Sequence, residues 1–313
     1  MVAAVQIIGI WNRWPGEYNI NSRVNKYVHR LSRNNVYRRI FSTLCKRIGL
    51  IMFDLPDKIK DLISDEKYSF DNVGMSDSTV ILFQDKILKI QTISEESNNE
   101  YHVMEWLQNK LPVPMVLGFE KDEERNYLLM TKVSGEMSCS EKYMEKPEQL
   151  VSQLAEGIKM LWEMDMCHCP FICNLDKKLE MAKYNVYKNL VDIDNVESDT
   201  FGVNGFGSPK ILLNWLIRNK PDEELVFSHG DFCLPNIFLT DEKVSGYIDL
   251  GKTGIADKLQ DISLCYRSLL HNFDGKYTGK KYQGFKAEVL FEKLGIEPNW
   301  DKIRYYILLD ELF

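Results

Sequence analysis

The sequence predicts an α+β protein of two lobes, a small one around an antiparallel sheet and a larger one that is mainly helical. The first part contains strand-like runs at 80–83, 87–90 and 127–131. The second part contains apolar residues at helical spacing in 150–164, 175–190 and 209–218. Between them, the turn-forming residues of 132–135 predict a hinge. Gln84-Asp85-Lys86 is a hairpin turn that makes the first two strands antiparallel neighbours.

Composition and charge restrict the class of protein. With 313 residues, 44% of them hydrophobic and 27% charged, the chain resembles an ordinary globular protein with a substantial core. The net charge of −7 is unevenly distributed, since residues 1–51 carry nine Lys or Arg against the single acid Glu17. The remaining 30 basic and 45 acidic residues give 52–313 a net charge of −15. Such an acidic body disfavours nucleic acid as a partner and favours cationic ones.

The basic segment 1–51 is expected to be an N-terminal extension that is not part of the catalytic fold. It has the charge of an arm for nucleic acid or a membrane surface, and the Arg-rich, acid-poor composition of an organelle presequence. We favour a third interpretation, a leader upstream of a domain that opens at Met52. The predicted lobes are then 52–131 and 132–313.

Cysteine content and hydropathy predict the compartment. Seven scattered cysteines, an odd number, give no disulfide framework, and Cys167-His168-Cys169 with Cys173 lacks the second ligand pair of a zinc site. Reduced thiols in a cytoplasmic protein are the simpler interpretation. No run approaches the ~20 apolar residues of a membrane helix, so we expect no membrane association.

The most informative stretch runs from Val226 to Gly251. It places three polar residues, Asp231, Asn236 and Asp249, in otherwise apolar and strand-forming surroundings. Asp231 follows a glycine loop, Asn236 precedes a first short strand, and a second strand over 244–250 delivers Asp249 at its end. A hairpin would therefore bring the three side chains together.

These residue types suit phosphoryl transfer from a nucleoside triphosphate. The enzyme must position an acceptor hydroxyl, which an accessible carboxylate can do, and must neutralise phosphate charge with Mg²⁺. An amide oxygen and a second carboxylate are suitable ligands for that hard cation. The alternative is a hairpin whose Asp and Asn residues only cap turns, and the combined spacing makes it the weaker interpretation.

Three stretches carry a resemblance to a known family: HGDFCLPNIF, KVSGYIDLGKTGIADKLQDISLCYRSL and KIRYYILLDELF. They resemble the aminoglycoside phosphotransferases, relatives of the protein kinases, and among these the aminoglycoside 3'-phosphotransferases. The resemblance extends from about Met52 to Phe313. It implies a bilobal protein-kinase-like fold with ATP and Mg²⁺ in the cleft, and phosphorylation of an aminoglycoside hydroxyl, the 3'-hydroxyl, which confers antibiotic resistance.

The resemblance also implies roles for individual residues of the central stretch. Asp231 is expected to be the catalytic base, and Asn236 and Asp249 the Mg²⁺ ligands. His229 is expected to support the loop, and Asp261 to brace it from the following helix.

Nucleotide binding is assigned to Ser76, Lys89, Glu100, Thr131 and Val133. A strand lysine and a glutamate of the following helix form the ion pair that steadies the phosphates in kinase-like enzymes, and Lys89 and Glu100 have that spacing. Glu100 is expected to open a helix over 100–111. By resemblance, Ser76 lies over the phosphates, and the backbone at Thr131 and Val133 meets the adenine.

The acceptor site is predicted from acidity at the chain end as well as from the resemblance. The final helix is expected to run from Trp300 to Phe313, and acids at a helix C-terminus are unfavourable against the helix dipole unless a cation is present. Together with Asp231, the anionic pocket for substrate ammonium groups is assigned to Glu197, Asp199, Asp310, Glu311 and the Phe313 carboxylate.

Two alternative functions remain open on the sequence alone. The same fold could phosphorylate another acceptor, such as a macrolide or an amino alcohol. A non-catalytic, kinase-like nucleic-acid-binding protein could instead use the basic arm, although the complete set of Lys89, Asp231, Asn236 and Asp249 argues against it. We expect a monomer or a weak dimer.

Overall fold

The computed structural model describes residues 55–63, 66–70, 78–203 and 205–313. The predicted extension 1–51 and the turn that carries Ser76 lie outside the described residues. Leu55–Phe313 forms one compact unit. Within its described part, no helix is both long enough and apolar enough to cross a membrane.

The smaller lobe is a five-stranded antiparallel sheet with two helices. Its strands are β1 (Ser69–Phe70), β2 (Thr79–Leu82), β3 (Lys86–Thr92), β4 (Val116–Lys121) and β5 (Arg125–Thr131). Its helices are α1 (Asp57–Leu62) and α2 (Glu95–Leu107). The strand order is β1-β2-β3-β5-β4, so β3 is central and carries Lys89 opposite Val80 and Leu128.

The start predicted for α2 is wrong by five residues. The helix begins at Glu95, where Ser94 and Ser97 form a reciprocal capping box, each side chain accepting the other's backbone N–H. The first turn is polar, so the apolar pattern alone did not reveal it. Glu100 therefore lies inside the helix rather than at its start. The helix also ends earlier than predicted, at Leu107.

The larger lobe is mainly helical, as predicted. Its helices are α3 (Glu141–Met144), α4 (Pro147–Trp162), α5 (Leu175–Lys188), α6 (Pro209–Arg218), α7 (Lys258–Phe273), α8 (Val289–Leu294) and α9 (Trp300–Asp310). Its strands are β6 (Glu136–Met137), β7 (Leu225–Ser228), β8 (Ile237–Leu239), β9 (Val244–Tyr247) and β10 (Gly254–Asp257). They form a β6-β8-β9 sheet and a β7-β10 pair, which hold the central stretch between helices.

Two hydrophobic clusters stabilise the unit. The larger one joins the lobes, because Met104 of α2 and Leu128 of β5 pack in the same cluster as Leu154 of α4 and Phe227 of β7. The smaller one is built from α5, α6 and α9. Burying each large aliphatic side chain contributes about 1.5–3 kcal/mol, so the cluster shared by the lobes fixes the cleft between them.

Two element ends that bear on the site differ from the prediction. Strand β9 ends at Tyr247, because Ile248 donates its N–H to the Asn236 carbonyl and the chain then turns at Asp249. Helix α9 ends at Asp310 rather than at the last residue. Phe313 donates its N–H to the Asp310 carbonyl, so the last residues form a turn.

Candidate active site

Asp261, in the first turn of α7, braces the loop that carries Asp231. Its two carboxylate oxygens accept the backbone N–H groups of His229 and Gly230, at 2.7 and 2.9 Å. Gly230 has φ +84°, and a Cβ there would lie 1.9 Å from the Lys252 carbonyl oxygen. The loop therefore requires glycine at this position, and two chain segments approach closely behind the active site.

The His229 side chain links the same segments. Its Nε2 lies 3.0 Å from the Ile248 carbonyl oxygen, and its Nδ1 lies 3.3 Å from the Asp231 backbone nitrogen. A carbonyl only accepts and an N–H only donates, so Nε2 carries the proton and Nδ1 accepts. Thr253 also donates its hydroxyl to the His229 carbonyl at 2.7 Å. The imidazole is therefore a buried structural link, in the supporting position that was predicted.

The two carboxylate oxygens of Asp231 are held by different neighbours. Asn236 Nδ2 donates to Oδ2 at 3.1 Å and to the Asp231 carbonyl at 3.0 Å. The Cys233 thiol donates to Oδ1 at 3.1 Å. Burial raises the pKa of Cys233, and the nearby Asp231 adds to that shift, so the thiol stays protonated and can donate. The carboxylate is thus oriented before any substrate arrives.

An ion cluster joins the two lobes, with Lys89 and Glu100 buried and the Asp249 side chain 40% exposed. Lys89 Nζ lies 2.9 and 2.8 Å from the two Glu100 carboxylate oxygens and 2.7 Å from Asp249 Oδ1. Lys89 is 7% exposed and Glu100 is 1% exposed. Burial alone would lower the pKa of Lys89, but the two carboxylates outweigh it and raise that pKa. The ammonium therefore remains charged within the cleft.

Asp249 is held in an unusual backbone conformation, with φ 62° and ψ 56°. A non-glycine residue in this left-handed region is strained, and such strain occurs at functional sites. Burial acts to raise the pKa of Asp249, but Lys89 in contact with it, together with Lys252, produces a net lowering. The carboxylate is therefore anionic.

Asn236 and Asp249 fit a magnesium site made mainly of substrate and water oxygens. The backbone hydrogen bond from Ile248 to Asn236, at 3.0 Å, places Asp249 one residue beyond the contact. Because the Asn236 amide nitrogen is engaged by Asp231, its oxygen is the atom left to coordinate a cation. At phosphate sites Mg²⁺ usually has only one or two protein ligands, and one amide oxygen and one carboxylate meet that requirement.

The hinge residues lie where the sheet lobe ends. Thr131 is the last residue of β5 and donates its N–H to the Met115 carbonyl at 2.9 Å, so its carbonyl is the group it can offer an adenine. The Val133 side chain packs against Gly246, where a Cβ would lie 2.7 Å from it. This contact fixes the Val133 side chain against β9.

Arg267 of α7 pairs with two of the predicted acceptor carboxylates, those of Asp310 and Glu311. It pairs with Asp310, and its second nitrogen lies 3.1 Å from Glu311 Oε1. The other Glu311 oxygen accepts the Glu197 backbone N–H at 2.9 Å. The cation that offsets the acids at the end of α9 is therefore, in this structure, an arginine of the chain itself.

Asp199 and the Phe313 ring lie outside these ion pairs. Asp199 pairs with Arg304 at 2.9 Å on an exposed part of α9. The Phe313 ring lies 5.3 Å from Lys252 Nζ and 5.9 Å from Lys178 Nζ, beside a cavity of about 50 Å³. The structure thus brings together Glu197, Asp310 and Glu311 and ties Phe313 to Asp310 through a backbone hydrogen bond, whereas Asp199 pairs with Arg304 instead.

Sequence reasoning missed several groups that shape the site. Asn99 of α2 donates to the carbonyls of Gly251 and Thr253 at 2.9 and 3.1 Å, which ties the sheet lobe to the segment after Asp249. Cys233 and Arg267 were also missed. Arg267 had a usable signal, a basic residue inside an apolar helical run, whereas the contacts of Asn99 depend on tertiary structure alone.

Fold and site together define a phosphoryl-transfer enzyme, and comparisons with known proteins agree. The model of the phosphotransferase enzyme family matches residues 67–306. An aminoglycoside 3'-phosphotransferase of Enterococcus faecalis is 41% identical over 245 residues, covering 77% of this chain and 87% of the relative. The enzyme of the same name from Staphylococcus aureus is 39% identical over 268 residues, covering 82% and 97%.

Solved structures agree on the fold. An aminoglycoside phosphotransferase of Streptomyces rimosus superimposes with a TM-score of 0.69 at 24% identity, covering 83% of this chain and 99% of the other. The same enzyme bound to ADP and streptomycin gives 0.66. The predicted bilobal protein-kinase-like fold is confirmed. The chain belongs to the phosphotransferase enzyme family and, within it, to the aminoglycoside 3'-phosphotransferases.

Proposed function

We propose that this chain transfers the γ-phosphoryl group of ATP to the 3'-hydroxyl of an aminoglycoside antibiotic and so confers resistance. The observation that carries the proposal is the oriented Asp231 carboxylate, held by Asn236 and Cys233 on the loop that Asp261 braces. The Lys89–Glu100–Asp249 cluster lies in the same cleft. Use of ATP by this chain is also supported by the relative whose structure was solved with ADP.

In the proposed mechanism, Asp231 orients the acceptor hydroxyl and takes its proton. Both carboxylate oxygens are fixed by neutral donors, so the remaining lone pairs can accept a hydrogen bond from the substrate. Positioning of this kind supplies much of the catalysis in phosphoryl transfer, because the phosphoryl donor brings its own reactivity.

The phosphates of ATP are held by charges on both lobes. Lys89, kept protonated by Glu100, supplies a fixed ammonium from the sheet lobe. Asn236 and Asp249 would hold Mg²⁺, which neutralises negative charge on the phosphate oxygens. Ser76 is proposed to cover the phosphates, and the hinge backbone at Thr131 and Val133 to contact the adenine.

An acidic surface is proposed to select a polycationic acceptor. Glu197 and Glu311 are joined through a backbone hydrogen bond, and Asp310 shares Arg267 with Glu311. Asp199 and the Phe313 carboxylate are proposed to contact further amino groups. Adding a phosphate to such a cation weakens its electrostatic attraction to ribosomal RNA, which is how resistance would arise.

An acceptor panel tests the function against its alternatives. We expect ATP-dependent formation of a phosphorylated product with kanamycin B, and little or none with a macrolide or with choline. Preferential phosphorylation of the macrolide or of choline would contradict the proposed acceptor. Absence of transfer to every acceptor by a folded, ATP-binding chain would contradict the enzymatic assignment itself.

A further inference from the structure

His271 of α7 and Lys276 of the turn that follows it both contact the same oxygen of Glu197. His271 Nε2 lies 2.5 Å and Lys276 Nζ lies 3.1 Å from Glu197 Oε1. The turn that achieves this is fixed, because the Lys276 backbone N–H donates to the His271 carbonyl at 3.0 Å and to Asp274 Oδ1 at 2.8 Å. Gly275 supplies the left-handed residue, with φ 82°.

His271 and Lys276 differ in how easily they can leave Glu197. His271 is packed on the helix, with 10% of its side chain exposed, whereas the Lys276 side chain is 40% exposed. An exposed lysine gains little from one ion pair, since water and rotamer freedom compete with it. Lys276 can therefore be displaced while His271 stays in place.

Glu197 itself is held in place independently of Lys276. Its backbone N–H donates to Glu311 Oε2 at 2.9 Å, which fixes it to the carboxylates around Arg267. The hydrogen bond from His271 is the largest influence on the pKa of Glu197 and, with Lys276, lowers it to about 2 despite partial burial. The carboxylate is anionic at neutral pH.

We propose that Lys276 is a specificity-determining residue, whose ammonium occupies the position on Glu197 that an ammonium group of the acceptor takes when it binds. The acceptor then displaces Lys276 rather than filling an open anionic site. This inference rests on the proposed function. This exchange favours acceptors that carry an amine where they meet Glu197. An acceptor without that amine cannot displace Lys276, which then stays paired with Glu197.

The test removes the Lys276 ammonium, which competes with the acceptor for Glu197. In Lys276→Met, we expect the Kd of kanamycin B, measured by calorimetry on the full chain without ATP, to fall about two- to five-fold, the range of an exposed ion pair. The KM for kanamycin B should fall with it, while kcat and the KM for ATP stay unchanged.

Lys280→Met is the matched control. Lys280 lies on the same segment, is similarly exposed, and pairs with Glu141 and Glu145 instead of Glu197. The control removes the same charge from the protein, so a general gain in attraction for a polycation appears in both variants. Only a larger effect in Lys276→Met supports displacement. An equal effect in the two variants, or an unchanged or raised Kd in Lys276→Met, overturns it.

A double-mutant cycle separates this inference from the proposed function. Glu197→Gln should raise the Kd, and adding Lys276→Met in that background should then have no further effect. If Glu197→Gln raises the Kd but Lys276→Met does not lower it, only the displacement is overturned. An unchanged Kd with Glu197→Gln overturns the displacement together with the acceptor role of Glu197. Failure of the wild-type chain to phosphorylate kanamycin B would instead contradict the proposed function.

Discussion

The Lys89–Glu100 pair illustrates how far single residues could be predicted. A lysine in a strand and a glutamate eleven residues later, on a helix, have a fixed spacing along the chain, and the structure contains their ion pair at 2.8 Å. The third partner, Asp249, is 160 residues away from Lys89 in sequence. Nothing local to Lys89 encodes that contact, because it depends on how the lobes pack.

The Asp231→Asn variant tests the residue assigned as the base. Asparagine keeps the shape but cannot take the proton of the acceptor, so we expect kcat to fall by about 10²–10⁴. The affinity for a non-hydrolysable ATP analogue should be preserved, because Asp231 does not hold the phosphates. A near-normal kcat measured in steady state would show that another residue acts as the base.

The buried Lys89–Glu100 pair makes a separate prediction about stability. Lys89→Met leaves Glu100, which is 1% exposed, without its main cation, and should destabilise the protein by about 3–5 kcal/mol. The double variant Lys89→Met/Glu100→Gln should recover much of this loss in urea unfolding.

The KM for ATP distinguishes stability from function in that series. It should stay raised in the double variant, since neither Met nor Gln supplies a cation for the phosphates. Recovery of normal ATP turnover along with stability would contradict the phosphate-binding role of Lys89.

At the scale of elements, apolar periodicity predicted the helices best where sequence signals at their ends agreed with it. Helix α6 has the predicted limits, Pro209 and Arg218, because Ser208 caps it and a proline occupies its first turn. Helix α2 begins in a polar turn and was therefore predicted too short at its start. The end of β9 was missed because its last residues bend toward Asn236, which is a tertiary contact.

The loop that carries Glu197 should give a measurable pH dependence of stability. The folded-state pKa of Glu197, about 2, lies below the ordinary value of 4.5, chiefly because His271 hydrogen-bonds to the carboxylate. A depressed carboxyl pKa contributes stability above the unfolded value, and this is lost as pH falls through the folded value.

We therefore expect Glu197→Gln to lower the free energy of unfolding by about 1 kcal/mol at pH 7, a typical value for such pairs near the surface. The difference from wild type should persist down to about pH 4.5 and vanish as the pH approaches 2, as measured by urea unfolding. A difference that is constant across this window would show that the ionised carboxylate is not responsible.

At the scale of the whole molecule, the sequence predicted net acidity but not where the charges are paired. Asp310 and Glu311 were predicted to bind a cation of the substrate, and in the structure both form ion pairs with Arg267. Counting charges cannot distinguish a free carboxylate from one that is paired inside the chain. The fold class and the central hairpin were predictable because they rest on local pattern and spacing.

Removing residues 1–51 tests the domain boundary. The compact unit that begins at Leu55 contains both described hydrophobic clusters, so we expect thermal stability and turnover to remain almost unchanged. A large loss of folded protein in the truncated form would show that the extension is structural. Binding of nucleic acid with a steep salt dependence, by the full chain only, would identify it as an arm.

Transfer of phosphate to a 3'-hydroxyl can be tested by identifying the product. Kanamycin B and tobramycin, its 3'-deoxy derivative, differ only in the proposed acceptor group. With ATP and Mg²⁺, we expect kanamycin B to gain one phosphoryl group, located at the 3' oxygen by NMR, and tobramycin to remain unmodified. Phosphorylation of tobramycin at a comparable rate, or of kanamycin B at another oxygen, would contradict transfer to the 3'-hydroxyl.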